Sequence, residues 1–113
     1  MITLYGVPQC QKIRKTKKLL EDNGIDYVFI NVKKQPLTRE ELQKIVDQLG
    51  LQSVLNAKGP TFRKLGLKDR NLSEEELFDW LLKEQGMINR PLIQKGNAFW
   101  IGFDEQGILD FVK

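Results

Sequence analysis

The chain has 113 residues, enough for one hydrophobic core, and its 41% apolar and 29% charged side chains are the balance of a folding domain, not a disordered tail. Eighteen Lys and Arg against fifteen Asp and Glu leave +3, too little charge for an obligate nucleic-acid binder. One cysteine and no histidine exclude an intrachain disulfide, a Cys/His zinc site, a haem held by histidine and any catalytic triad built on histidine. No stretch approaches the ~20 apolar residues of a membrane helix. The start, Met1 to Tyr5, lacks a basic leader and a long apolar run. A single cytoplasmic domain over residues 1–113 is expected, a monomer with no membrane or direct nucleic-acid contact, no metal and no resident cofactor.

In chain order, Ile2-Thr3-Leu4-Tyr5 reads as a buried strand that turns at Gly6-Val7-Pro8. From Gln11 to Asp22 the residues Ile13, Thr16, Leu19 and Leu20 fall at helical spacing, and Asn23-Gly24 supplies a stop. Ile25 to Val32 is rich in Val, Ile, Tyr and Phe and predicts a second strand, joined to the first as a βαβ unit. Thr38 with Glu41 forms a capping box, flanked by Leu37 and Leu42 as a staple, so a helix runs from about Arg39 to Leu49. Ser73 with Glu76, flanked by Leu72 and Leu77, repeats the device and predicts a helix to about Gln85.

Between these helices a short helical turn is expected around Val54-Leu55, followed by a break at Gly59-Pro60. Leu92-Ile93-Gln94 and Phe99 to Phe103 flank the turn cluster Lys95-Gly96-Asn97 and predict an antiparallel hairpin. A helix from Asp104 to Val112 closes the chain. The order βαβ, helical segment, ββα gives a mixed sheet with helices on its faces.

Cys10 is the sharpest chemical feature, because it falls where the first helix begins. Backbone N–H groups and the positive end of the helix dipole favour a thiolate there, and Lys12 and Arg14 add positive charge. A bland alternative is a small hydrophobe packed under the sheet. Position 13, where a dithiol motif carries its second cysteine, holds Ile13, so only a one-cysteine mechanism is available. The first helix also carries Lys15, Lys17 and Lys18, and no acidic residue precedes Glu21. This face suits an oxyanion, a glutathione carboxylate or an acidic protein surface, or else is simply solvated. Asn89-Arg90-Pro91 precedes an apolar strand, and its X-Pro bond is a candidate cis bond that would set Arg90 near an anion. Glu74-Glu75-Glu76 reads as a helix start, and Phe78 and Trp80 as packing.

Together, Thr3-Leu4-Tyr5, Pro8-Gln9-Cys10 with Arg14, Leu65-Gly66-Leu67 and Asn89-Arg90-Pro91-Leu92-Ile93 make the chain resemble the ArsC/Spx family over essentially its whole length. That family comprises arsenate reductases, related thiol-dependent reductases and Spx-type transcriptional regulators. The resemblance implies a thioredoxin-like (glutaredoxin-like) α/β fold with a mixed four-stranded sheet. Its core would comprise about 1–35 and 87–113, with a helical insertion over about 36–86. It implies Cys10 as nucleophile, with Arg14 and Arg90 as anion contacts, Lys12 beside them, and Pro8 and Pro91 shaping the site.

Where arsenate reductases place two further arginines this chain has Asn56 and Gly102, and where they place a supporting histidine it has Gly6. The run Asn56-Ala57-Lys58-Gly59 with Phe62-Arg63-Lys64-Leu65 is similar to the branch associated with glutathione-dependent thiol reduction, which adds Arg63 as an anion contact. The implied co-substrate is glutathione or another thiol, with glutaredoxin as an alternative electron donor, and the implied substrate is a small oxyanion or a mixed disulfide. Two alternatives stand beside this reading. One is an Spx-like regulator that binds the RNA polymerase α subunit; the other is an arsenate reductase in the strict sense.

Overall fold

The computed structural model describes residues 1–113 and opens with the βαβ unit: β1 (Ile2–Gly6), α1 (Gln11–Asp22) and β2 (Tyr27–Asn31). β1 and β2 run parallel, with Leu4 opposite Phe29, since the intervening helix carries the chain back along the sheet before β2 begins. Ile13, Thr16 and Leu20 form the buried stripe of α1. The Thr16 hydroxyl donates to the Lys12 carbonyl at 2.7 Å, so the polar member of that stripe is satisfied. Gly24, at φ +66°, ends the helix, and the Ile25 N–H donates to the Leu20 carbonyl at 2.9 Å. Ile25 is thereby spent on helix termination, and β2 starts two residues later than the composition predicts.

Residues 36–86 hold α2 (Arg39–Leu49), α3 (Leu51–Val54), α4 (Pro60–Lys64) and α5 (Glu74–Lys83), with 3₁₀ turns at Leu67–Asp69 and Gln85–Met87. Both capping boxes form. The Glu41 N–H donates to Thr38 Oγ1 at 3.2 Å and the Thr38 N–H to Glu41 Oε1 at 2.9 Å. Ser73 and Glu76 repeat this at 3.2 and 3.1 Å. Two expectations are corrected here. Gly59-Pro60 does not break the chain but starts α4, because proline's missing N–H would be unpaired in a first turn anyway. α5 ends at Lys83, short of Gln85, because Gln85 turns inward. Its side-chain oxygen accepts from the Leu37 N–H at 2.7 Å and its amide donates to the Leu37 and Leu82 carbonyls at 2.8 and 3.1 Å. This buried clasp joins the end of α5 to the entry of α2.

The chain closes with β3 (Leu92–Lys95), β4 (Ala98–Ile101) and α6 (Glu105–Val112). Lys95 faces Ala98 across a two-residue turn, and Gly96 at φ +61° supplies the left-handed first position. β4 stops at Ile101, before the predicted Gly102-Phe103, because the Gly102 N–H donates to the Pro91 carbonyl at 2.9 Å with Gly102 at φ +93°. Asp104 caps α6 by accepting from the Gly107 N–H at 3.1 Å.

The strand order is β2-β1-β3-β4, with β3 antiparallel to both neighbours, which is the thioredoxin-like mixed sheet the resemblance implies. Alternation along β1 sends Ile2 and Leu4 to one face and Tyr5 to the other. The first face packs with Ile13, Leu20, Ile93, Ile108 and Val112 from α1, β3 and α6; the second packs against α2, α3 and α5 through Leu42, Ile45, Val54, Leu81 and Leu92. No helix is long and apolar enough to cross a membrane.

Candidate active site

The site is built where β1 leaves the sheet. After Gly6 the chain turns through Val7, exposed Pro8 and Gln9, and the Cys10 N–H closes the turn on the Val7 carbonyl at 3.2 Å. The Arg14 N–H then donates to the Cys10 carbonyl at 3.1 Å, so Cys10 is the N-cap of α1, with extended backbone at φ −72° and ψ 129°. A serine or aspartate there would accept from the first-turn amides; the Cys10 side chain makes no such bond, and the Lys12 and Ile13 N–H groups have no partner in the protein. Cys10 is partly exposed and touches both core layers, so the sulfur stands at the end of the sheet, not beneath a face. The first turn of α1 has no acidic residue.

β3 brings the second half. Tyr5 lies opposite Leu92, so Pro91, one position beyond that pair, lies beside Gly6 at the sheet end from which the Cys10 turn emerges. The Arg90–Pro91 peptide is cis. Arg90 is partly exposed and its guanidinium has no hydrogen-bond or ion-pair partner, since the ion pairs of the chain are Lys18–Asp22 and Arg39–Asp79. Lys12 and Arg14 are exposed and equally free of acidic partners. Topology therefore gathers Pro8, Cys10, Lys12, Arg14, Arg90 and Pro91 at one end of the molecule.

Arg63 is different. It stands on α4, exposed, and its Nη2 donates to the Lys58 carbonyl at 3.2 Å, so part of its donor capacity is committed to its own loop. That loop is tied to the Arg90 segment through the Asn56 N–H on the Met87 carbonyl at 2.8 Å and a bridge between Leu55 and Ile88. Asn89, the first residue of the Asn89-Arg90-Pro91 segment, anchors Arg90. Its N–H donates to the Val54 carbonyl at 2.6 Å and its Oδ1 accepts the Arg90 N–H at 3.1 Å. The available signal was an asparagine next to an Arg-Pro step, a residue type that bonds its neighbours' backbone.

None of the five principal clefts is lined by Cys10; the largest, about 470 Å³, lies on the helical segment. On β1, burial first and Glu41 second raise Tyr5 above the usual phenol value, so it remains a neutral donor, 2.7 Å from Gln94 Oε1.

The profile of the ArsC family matches residues 5–111. The chain belongs to the ArsC family. Among the relatives of this ArsC-family chain are the uncharacterised protein YusI of Bacillus subtilis, 34% identical over 92% of each chain, and the global transcriptional regulator Spx of Streptococcus pneumoniae, 32% identical over 99% of this chain and 86% of the regulator. A solved structure of a possible arsenate reductase from Streptococcus mutans superposes with a TM-score of 0.82 at 33% identity, covering 98% of both chains. ArsC-family relatives are thus described both as a possible reductase and as a regulator. Within this ArsC-family chain, two of the departures have a packing consequence. Gly6 and Ile13 fill each other's space, and Gly59 leaves room for Asn56, whose Nδ2 would sit 2.8 Å from a Cβ built on that glycine.

Proposed function

We propose that the protein is a thiol-dependent reductase in which Cys10 is the sole nucleophile and glutathione, or a glutaredoxin-type partner, the electron donor. The observation that carries this reading is a lone, partly exposed cysteine at an uncapped helix start, at the same end of the molecule as Lys12, Arg14 and Arg90, which have no acidic partners. Unpaired first-turn amides at the start of α1 are free to donate to negative charge that develops on the Cys10 sulfur during attack.

The Cys10 thiolate attacks the glutathione sulfur of a mixed disulfide. The substrate's thiolate leaves and takes a proton from solvent, and Cys10 is left joined to glutathione. A second glutathione thiolate attacks that bound glutathione sulfur, which frees Cys10 and releases oxidised glutathione. No second cysteine is needed at any step. Arg14 and Arg90 hold glutathione carboxylates, Lys12 adds to the local positive field, and Arg63 contributes from the adjoining loop. Asn56 and Gly102, standing where arsenate reductases place two arginines, leave fewer cations for a small oxyanion and favour a peptide-borne disulfide. The protein would act in the cytoplasm, where glutathione is abundant, as a monomer.

The test compares turnover of a glutathionylated peptide with turnover of arsenate, each supplied with glutathione and glutaredoxin. Cys10-dependent reduction of the peptide well ahead of arsenate supports the reading; the reverse order makes the protein an arsenate reductase.

A second reading has its own support in the 32% identity to Spx across 99% of the chain. On it the protein contacts the RNA polymerase α subunit and performs no chemistry. Polymerase retention equal for wild type and Cys10→Ser, with no reductase activity in either, decides for this second role.

A further inference from the structure

The helical segment carries a second surface that the thiol chemistry does not use. A groove of about 470 Å³ runs between α4, the 3₁₀ turn at Leu67–Asp69 and the start of α5. Its floor is apolar, made by Phe62, Leu67, Leu72 and Leu77, and the charged side chains of its lining, Lys58, Lys68 and Arg70, are all basic. Residues 58–70 contain five basic residues and one acidic, Asp69, and the acidic run Glu74-Glu75-Glu76 at the adjoining start of α5 stays outside the groove lining. All five cations are exposed and none takes part in an ion pair.

None of these cations is in contact with a carboxylate. Arg63 donates to a backbone carbonyl, and the Arg70 guanidinium lies 5.4 Å from the Trp80 ring, its charge also reaching Glu76 at the α5 start. The three lining cations repel one another, and Leu72 and Leu77, half-buried above the buried Phe62 and Leu67, still leave apolar surface in water. An occupant with carboxylates along its edges and aliphatic or aromatic side chains beneath relieves both.

We infer that this groove docks an acidic amphipathic peptide segment of a partner protein. A nucleic-acid backbone would satisfy the rim but leave Leu72 and Leu77 uncovered, whereas a helix with apolar residues at i, i+3 and i+4 and acidic flanks satisfies rim and floor together. This inference is independent of the role of Cys10.

The test uses a fluorescent peptide of about three helical turns with Leu and Phe at that spacing and Glu elsewhere. Its controls are a scrambled peptide of equal composition and a short DNA duplex, followed by amide chemical shifts of the full chain. Expected are saturable binding at least about tenfold tighter than the scrambled control, weakening with added salt. Shifts should centre on Ala57, Lys68, Leu72 and Leu77. The exposed double variant Lys58→Glu/Lys68→Glu should lose about tenfold or more while binding equally well in Cys10→Ser is retained. Leu72→Asp tests the floor, with its circular dichroism checked against wild type. Equal affinity for the scrambled peptide, tighter binding of duplex, shifts confined to α1, or no saturation would each overturn the inference.

Discussion

A Cβ atom built on Gly6 would overlap Ile13 Cδ1 and lie 2.7 Å from Ile13 Cγ1. These positions are the ones at which a supporting histidine and the second cysteine of a dithiol motif would stand. Here they are two halves of one packing contact between β1 and α1. Ile13 is fully buried, so it has nowhere to retreat. Gly6→Ala should therefore cost about 1–3 kcal/mol from overpacking, read from urea denaturation. Ile13→Val, which removes Cδ1, should recover part of that loss in the double variant; strict additivity of the two changes would show that the contact is not the cause.

At the proposed site, Cys10→Ser should abolish turnover. Native Cys10 should be alkylated without denaturant, as a partly exposed nucleophile requires. Arg90→Ala should lower kcat/KM for a glutathionylated peptide by about 10- to 100-fold, the range for losing a charged hydrogen bond. Arg63→Ala should cost less, because Arg63 already donates to the Lys58 carbonyl. Steady-state kinetics on the three variants give the order, and an Arg63 effect larger than that of Arg90 would reassign the anion contact.

Gln85 supplies a prediction about stability alone. Truncation to Ala leaves the buried Leu37 N–H and C=O without their partners, at about 1–3 kcal/mol for each orphaned group. Denaturation of Gln85→Ala should show this loss, while Gln43→Ala, whose side chain bonds only exposed Asp47, should be near neutral.

Glu76 ties stability to pH. The Ser73 backbone bond first, then the Ser73 hydroxyl and the Arg70 charge, hold its carboxyl below the usual value of 4.5. A depressed folded value means that the unfolded chain binds the proton more readily. The contribution is present above pH 4.5 and is lost as pH falls through the lower folded value. The stability difference between wild type and Glu76→Ala should be constant near neutrality and shrink in acid, as followed by denaturation across pH.

Much of this protein was legible without coordinates. The capping boxes at Thr38 and Ser73, the Gly24 stop and the Gly96 turn are local devices, in which a few neighbouring residues satisfy their own backbone groups, so spacing alone located them. The helix-start position of Cys10 was legible for the same reason, since a strand gives way to a helix there. The limits of β2 and α5 were not, because Ile25 and Gln85 are claimed by partners at Leu20 and Leu37. Nor could spacing separate Arg90 from Arg63. The register that sets Pro91 beside Gly6, the bonds that commit Arg63 to its own loop, and the gathering of Phe62, Leu67, Leu72 and Leu77 under a basic rim are long-range packing outcomes. They arise only when separate segments bury their apolar faces together. The sequence by itself determined that a single thiol at a helix start is the one nucleophile of its kind; tertiary structure decided that the Arg90-Pro91 step comes to the sheet end from which Cys10 emerges while Arg63 bonds its own loop, because register and packing are set between distant segments.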